Sequence, residues 1–157
     1  MKPVEIFTDG ACSGNPGNGG YGAILKYNGH IKEISQGYKS TTNNRMELIA
    51  AIVSLEMLKE PCKVSLYSDS KYLVDSVNLG WIEKWKANNW KRNNKEKAKN
   101  IDLLTRLCAQ LERHDVEFIW VKGHDGHPEN ERCDELATTA IKAETLLEDE
   151  GYDNQTL

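Results

Sequence analysis

Four acidic residues stand where a sheet protein builds sites. Asp9 ends a β-branched run over 4–8, and Asp69 ends an alternating run over 64–68. Glu47 falls in the first turn of a predicted helix over 44–59, and Asp134 in the first turns of the last predicted helix. If the two strands are parallel neighbours, both aspartates project at the carboxyl edge of the sheet, where open sheets place their ligands. Helix starts that follow such a sheet can converge on the same edge. Each carboxylate also has a plainer use. Asp9-Gly10 is a common turn dipeptide and Asp69-Ser70 a common helix cap. Asn44-Arg45-Met46-Glu47 resembles a capping box with Asn in place of Ser or Thr. Asp134 between Glu131 and Glu135 would complement a helix dipole. Gathered in one place the four read differently. Two carboxylates about 4 Å apart repel by about 4 kcal/mol at an effective dielectric of about 20. Four together need protons or cations. Donor sets made only of oxygen select hard divalent ions, so Mg²⁺ or Mn²⁺ is the natural occupant. The four cysteines (Cys12, Cys62, Cys108, Cys133) have no zinc-like spacing.

The elements that must position these residues follow from pattern. Strands are predicted over 4–8, 21–27 and 30–38, the last two joined by Asn28-Gly29, a type I′ hairpin signal. Residues 10–22 hold six glycines and Pro16 and read as a loop. Leu48, Ile49, Ile52, Leu55 and Leu58 recur at helical spacing, with Pro61 after the stop. A strand over 64–68 precedes helical stretches at 70–79, from 81 into a basic segment, and around 101–111 with Asn100 as cap. A last strand covers 116–121, and a final amphipathic helix begins near Pro128. The order β-β-β-α-β-α-α-α-β-α describes an α/β protein with a five-stranded mixed sheet and helices on both faces. Its helix-connected strands join parallel to the first. One domain is expected over 1–143, with an acidic, loosely held tail over 144–157.

At 157 residues the chain hides about 68–70% of its unfolded surface on folding and needs no staple. With 39% hydrophobic and 28% charged residues it reads as soluble and globular, with no apolar run long enough for a membrane span. Met1-Lys2-Pro3-Val4-Glu5 lacks a secretory h-region, so a reducing cytoplasm is expected, with reduced thiols. Net charge is −4, but seven bases against two acids between Glu83 and Lys99 form a local basic patch. Such a patch suits phosphate contacts, because counterion release depends on local charge; its plainer reading is a solvated lysine-rich face.

Several ordered blocks carry a resemblance: Glu5-Ile-Phe-Thr-Asp-Gly10, Gly14-Asn-Pro-Gly17, Thr41-Thr-Asn-Asn-Arg-Met-Glu-Leu48, Ser68-Asp-Ser70, Trp120-Val-Lys-Gly-His124 and the run from Gly126 to Ala137. Over about 4–141 the chain closely resembles bacterial ribonuclease H of type 1. The resemblance implies the ribonuclease H-like fold and an endonuclease that hydrolyses the RNA strand of RNA–DNA hybrids. It assigns Asp9, Glu47, Asp69 and Asp134 as metal-binding carboxylates and His124 as a mobile catalytic histidine. It further implies two Mg²⁺ ions in the substrate complex, one activating water and one stabilising the departing 3′-oxygen, with 5′-phosphate and 3′-hydroxyl products. A monomer with no membrane partner is the family expectation.

The resemblance also places Asn15, Asn43, Asn44 and the backbone of Cys12 along the hybrid's minor groove, where amides suit 2′-hydroxyls and base edges. Thr42 and Asn100 match a pocket for a DNA-strand phosphate. Trp81, Lys84, Lys86, Lys91 and Arg92 match a basic protrusion that contacts the DNA strand. Helix packing accounts equally well for Trp81 and Trp85, four residues apart, and turn or cap duty for the asparagines and Thr42. Three departures stand out: Ser40 where relatives place arginine, Leu104 where they often have tryptophan, and Asp125 in place of a small residue. The alternative reading is a catalytically weak hybrid-binding module, which Mg²⁺-dependent cleavage of a labelled hybrid would exclude. A nucleotide-binding ATPase lacks its G-x-x-x-x-G-K-[ST] loop here.

Overall fold

The computed structural model describes residues 1–90, 99–123 and 125–155. Three long strands open the chain: β1 (Lys2–Ser13), β2 (Gly17–Tyr27) and β3 (His30–Thr41). Asn28 and Gly29 both have positive φ, 47° and 82°, as the predicted two-residue hairpin needs. Then come α1 (Asn43–Glu56), β4 (Cys62–Ser68), α2 (Lys71–Asn78), α3 (Trp81–Ala87), α4 (Ile101–Arg113), β5 (Asp115–Trp120) and α5 (Pro128–Ile141). The chain ends in β6 (Leu147–Glu148) and α6 (Glu150–Gln155). The sheet order is β5-β4-β1-β2-β3-β6, with β4 parallel to β1, and β5 parallel to β4.

Several expectations change. The sheet has six strands among the described residues, because Leu147–Glu148 pairs with Tyr38–Lys39 at the outer edge of β3. The segment after 143 is accordingly not wholly loose: Asp149 is buried and grips Arg45. The strand β1 does not turn at Asp9-Gly10 but continues to Ser13, paired with β2 from Gly10↔Tyr21 to Ser13↔Asn18. Cross-strand pairing outweighs the local turn preference, and the expected 10–22 loop shrinks to Gly14–Pro16. Helix α1 starts at Asn43 with Thr42 as its cap, the Thr42 hydroxyl accepting from Arg45 N at 3.2 Å, so the Asn44–Glu47 box is not formed. Asn100 takes the cap position of α4 without a side-chain cap bond.

Two layers cover the sheet. Apolar residues of α1 (Leu48, Ile52, Leu55) and α4 (Leu104, Leu107) pack with Ile6, Val64 and Leu66 of the sheet in the main core. Leu104, where a tryptophan is common in the resembling family, is fully buried in it. On the opposite face α5 lies close on β2. A Cβ built on Gly20 or Gly22 would stand 2.6 Å from the Ala137 carbonyl oxygen or 2.5 Å from that of Cys133. The neighbouring Gly19 faces Met46 of α1 instead. The strand period of two thus sends alternate glycines of β2 to opposite helices.

Candidate active site

The register Thr8↔Ser68 is the last pair of β1 with β4. One residue further on, Asp9 and Asp69 stand side by side where β4 ends and β1 runs on. Helix α1 approaches β1 here at very close range: a Cβ on Gly10 would lie 2.6 Å from Glu47 N, so only glycine fits. The Gly10 N–H donates to Glu47 Oε1 at 2.9 Å and to Asp9 Oδ1 at 3.0 Å. Ser70 caps α2 through its hydroxyl, which accepts from Leu73 N at 3.2 Å, leaving the Asp69 side chain out of cap duty. The Trp120 indole N–H donates to the Asp69 carbonyl at 3.2 Å, and Gly123 packs against the Asp69 carboxylate. The turn and cap uses weighed for these carboxylates are thus filled by other groups.

Donor oxygens of Asp9, Glu47 and Asp69 lie within 4.8 Å of one another. Asp9 is 5% exposed and Glu47 2%. Burial pushes the Asp9 carboxyl far above the usual carboxylate range, and the charges of Glu47 and Asp69 push it further. Burial likewise raises Glu47, with Asp69 adding to it, against the opposing pull of the Gly10 amide. Asp134 stands outside this trio but lines the same cleft, of about 470 Å³, and its charge also raises Asp9. Glu47 Oε2 is buried without a hydrogen-bond partner. A buried carboxylate oxygen with nothing to accept, facing two further carboxylates, fits a divalent cation, which would supply the missing partner and offset the repulsion.

Cys12, Asn43 and Asn44 share the cleft with the four carboxylates; Ser70, Lys71 and Tyr72 also line it. Cys12 Sγ donates weakly to the Gly17 and Thr41 carbonyls, both at 3.4 Å, fixing the backbone there. Asn15 Oδ1 accepts from Asn43 N at 3.2 Å and so ties the β1–β2 turn to the start of α1. Asn100 lies beneath this end, accepting from Arg45 Nη1 at 3.3 Å and donating to the Tyr72 hydroxyl at 3.1 Å. Trp81 and Trp85 meet in a tilted pair with centroids 6.0 Å apart on α3, with Lys84 and Lys86 exposed beside them and outside the cleft lining. Lys86 Nζ is 3.8 Å from Glu112. Lys91, Arg92 and His124 lie outside the described residues. Sequence reasoning missed Gly10 as a donor and Lys71 and Trp120 as neighbours of Asp69. Their adjacency to Asp9 and Asp69, in sequence or across the β4–β5 pairing, was the available signal.

A carboxylate cluster at the carboxyl edge of a mixed sheet, beside a wall of amides, makes a polar site whose chemistry fits a hard cation and a hydrogen-bonding ligand. Comparison with known proteins gives the family. The profile of the RNase H family matches residues 1–142. A ribonuclease H of Rippkaea orientalis is 59% identical over 154 residues, 98% of this chain and 94% of the relative. The solved LC9-RNase H1, a type 1 RNase H with the type 2 active-site motif, is 30% identical at a TM-score of 0.82, covering 98% of this chain and 80% of that one. LC11-RNase H1, solved in complex with an RNA/DNA hybrid, shares the fold at 24% identity and a TM-score of 0.65, covering 88% of this chain and 96% of that one. The chain belongs to the ribonuclease H family. Its enzyme class follows: a hydrolase acting on RNA in RNA–DNA hybrids.

Proposed function

We propose that the chain cleaves the RNA strand of RNA–DNA hybrids endonucleolytically at the Asp9–Glu47–Asp69–Asp134 cluster, leaving 5′-phosphate and 3′-hydroxyl ends. The observation that carries this is the trio of carboxylates within 4.8 Å, with one buried Glu47 oxygen lacking a partner. Asp9 and Asp69 would hold the Mg²⁺ ion on the nucleophile side; Asp9, Glu47 and Asp134 would hold the second, with Mn²⁺ a possible substitute. When bound, these ions lower the pKa of the attacking water and offset charge on the leaving oxygen.

The chain's own residues orient the hybrid. Asn43 and Asn44 present both donors and acceptors beside the carboxylates, the chemistry needed to read 2′-hydroxyls and base edges in a wide minor groove. Cys12 and Asn15 extend that wall; Thr42 and Asn100 serve a DNA-strand phosphate. Lys84 and Lys86 on α3, with Lys91 and Arg92, add nonspecific phosphate contacts. Gly10 holds Glu47 by its amide, so the carboxylate does not swing into the groove. His124 is assigned proton delivery to the leaving group. The enzyme acts as a monomer in a reducing cytoplasm; its four cysteines are free thiols, as that compartment would keep them, and no helix among the described residues is long and apolar enough to cross a membrane.

One assay tests this reading. Labelled RNA–DNA hybrid, duplex RNA and duplex DNA are incubated with Mg²⁺ or EDTA and with the parent or Asp9→Asn protein. Only the hybrid, with Mg²⁺ and the parent, is expected to be cut. Cleavage of duplex DNA would overturn the substrate assignment, and full activity of Asp9→Asn the metal assignment.

A further inference from the structure

The turn that carries Asn43 and Asn44 sits at the rim of the protein, and both side chains are exposed. The helix α1 has no acidic residue in its first turn to favour its N-terminal dipole. Further along, Leu48, Ile52 and Leu55 anchor it in the core. At its start it is held by Thr42, by Met46 against Gly10 and Gly19, and by one fully buried cation, Arg45.

Arg45 is bound from two distant parts of the chain. Its Nε donates to Asp149 Oδ2 at 2.6 Å and its Nη2 to Asp149 Oδ1 at 2.9 Å. On the other side Nη1 and Nη2 donate to the two oxygens of Asp102 at 2.9 and 2.7 Å. Asp149 also accepts from the Thr41 hydroxyl at 2.6 Å, one residue before the α1 cap. The Tyr152 ring of α6 covers the guanidinium, with 6.0 Å from its carbon to the ring centroid. Two planar forks gripping one guanidinium fix its orientation as well as its charge. A charge buried this completely holds its place only while those partners remain. The short segment after α5 therefore reaches back across the sheet edge and fastens the backbone between Asn44 and Met46.

We infer that Asp149 is a positioning residue for substrate: acting through Arg45, it holds the Asn43–Asn44 turn in the conformation that meets the hybrid. The inference rests on the reading of Asn43 and Asn44 as substrate contacts. Glu47 is separately held by the Gly10 amide, so binding suffers more than chemistry when Asp149 is altered.

A double-mutant cycle on the full-length protein tests it, with KM and kcat for a labelled hybrid measured in Mg²⁺ at a temperature where circular dichroism shows each variant folded. Asp149→Asn is expected to raise KM about fivefold, a loss of about 1 kcal/mol, with kcat within about twofold. On an Asn44→Ala background the same change should cost less than about twofold in KM, because the group it positions is gone. Equal KM penalties on both backgrounds, or a lower melting temperature with unchanged KM, would overturn the positioning role. An unchanged KM for Asn44→Ala alone would instead overturn the substrate reading beneath it. Thr41→Val, which removes one donor to Asp149 without touching charge, should raise KM in the same direction by about twofold. Should Asp149→Asn fail to fold, an unchanged KM in Thr41→Val would be decisive against the inference.

Discussion

Substituting Asp9 by asparagine should stabilise the metal-free protein while abolishing its activity. Asp9 lies within 4.8 Å of donor oxygens on Glu47 and Asp69, and two unit charges at that separation repel by about 3 kcal/mol at an effective dielectric of about 20. The alternative open to the cluster is to keep a proton. For a carboxyl whose ordinary value is 3.8, doing so at pH 7 costs about 4 kcal/mol at 1.36 kcal/mol per unit. The two routes agree, and with partial relaxation the strain removed by Asp9→Asn is about 2–3 kcal/mol, or roughly 5–10 °C in melting temperature for a chain of this size. Burial and its acidic neighbours raise the folded-state pKa of Asp9 above its unfolded value. Its contribution is therefore fully present below about pH 4 and is lost as pH rises through the folded value. The advantage of the variant should be absent near pH 4 and widen towards pH 8. Thermal melts by circular dichroism in EDTA across that range measure it. Saturating Mg²⁺ should narrow the gap by stabilising the parent through binding. A variant that melts at or below the parent in EDTA at pH 8 would refute the account of the cluster as a strained, cation-requiring site.

Gly10→Ala should cost at least about 100-fold in activity while circular dichroism stays native-like, because α1 must retreat from a Cβ 2.6 Å from Glu47 N; overpacking of this kind costs about 1–3 kcal/mol. Near-parental activity would show that Glu47 needs no such close seat. His114 is buried, with Nδ1 accepting from Cys62 N at 3.0 Å and Nε2 3.2 Å from the Leu55 carbonyl, so its neutral form is the one held. Burial lowers its pKa, so its contribution to stability is present above the unfolded value of about 6.5 and is lost as pH falls below it. An NMR titration should place the His114 midpoint below 6.5, and a midpoint above it would contradict the burial argument. Lys84→Ala and Lys86→Ala should each raise KM for the hybrid and reduce the slope of log affinity against log salt by about 0.7–0.9, with kcat unchanged. An unchanged salt slope would remove that lysine from the interface.

Much of the site was legible because its residues sit at element boundaries that local pattern marks. The β-branched run before Asp9, the alternating run before Asp69 and the apolar period after Glu47 placed three carboxylates at one sheet edge once the strands were taken as parallel, as they are. Asn28-Gly29 specified its hairpin by its own backbone preference. What escaped was non-local. The Asp9-Gly10 pair looks like a turn, and only the partner strand β2, with glycines that admit helices on both sides, keeps β1 extended to Ser13. The acidic stretch after 143 looks solvated because its partner, Arg45, is 104 residues away in sequence. An arginine is almost never fully buried without such pairing, and nothing around Arg45 in the sequence announces it.

The bare face of β2 has a consequence for which ions the proposed site would accept. Because Gly20 and Gly22 carry no side chains, the helix bearing Asp134 seats itself almost on the backbone of the strand next to Asp9. On the proposed reading, the spacing between those two carboxylates would be gauged from behind, by methyl groups that are missing on the far side of the sheet from α1. Mg²⁺ demands oxygens at about 2.0–2.1 Å, whereas Ca²⁺ accepts about 2.3–2.6 Å. A fraction of an ångström added to that packing layer would retune cation choice at the proposed site without altering any of its carboxylates.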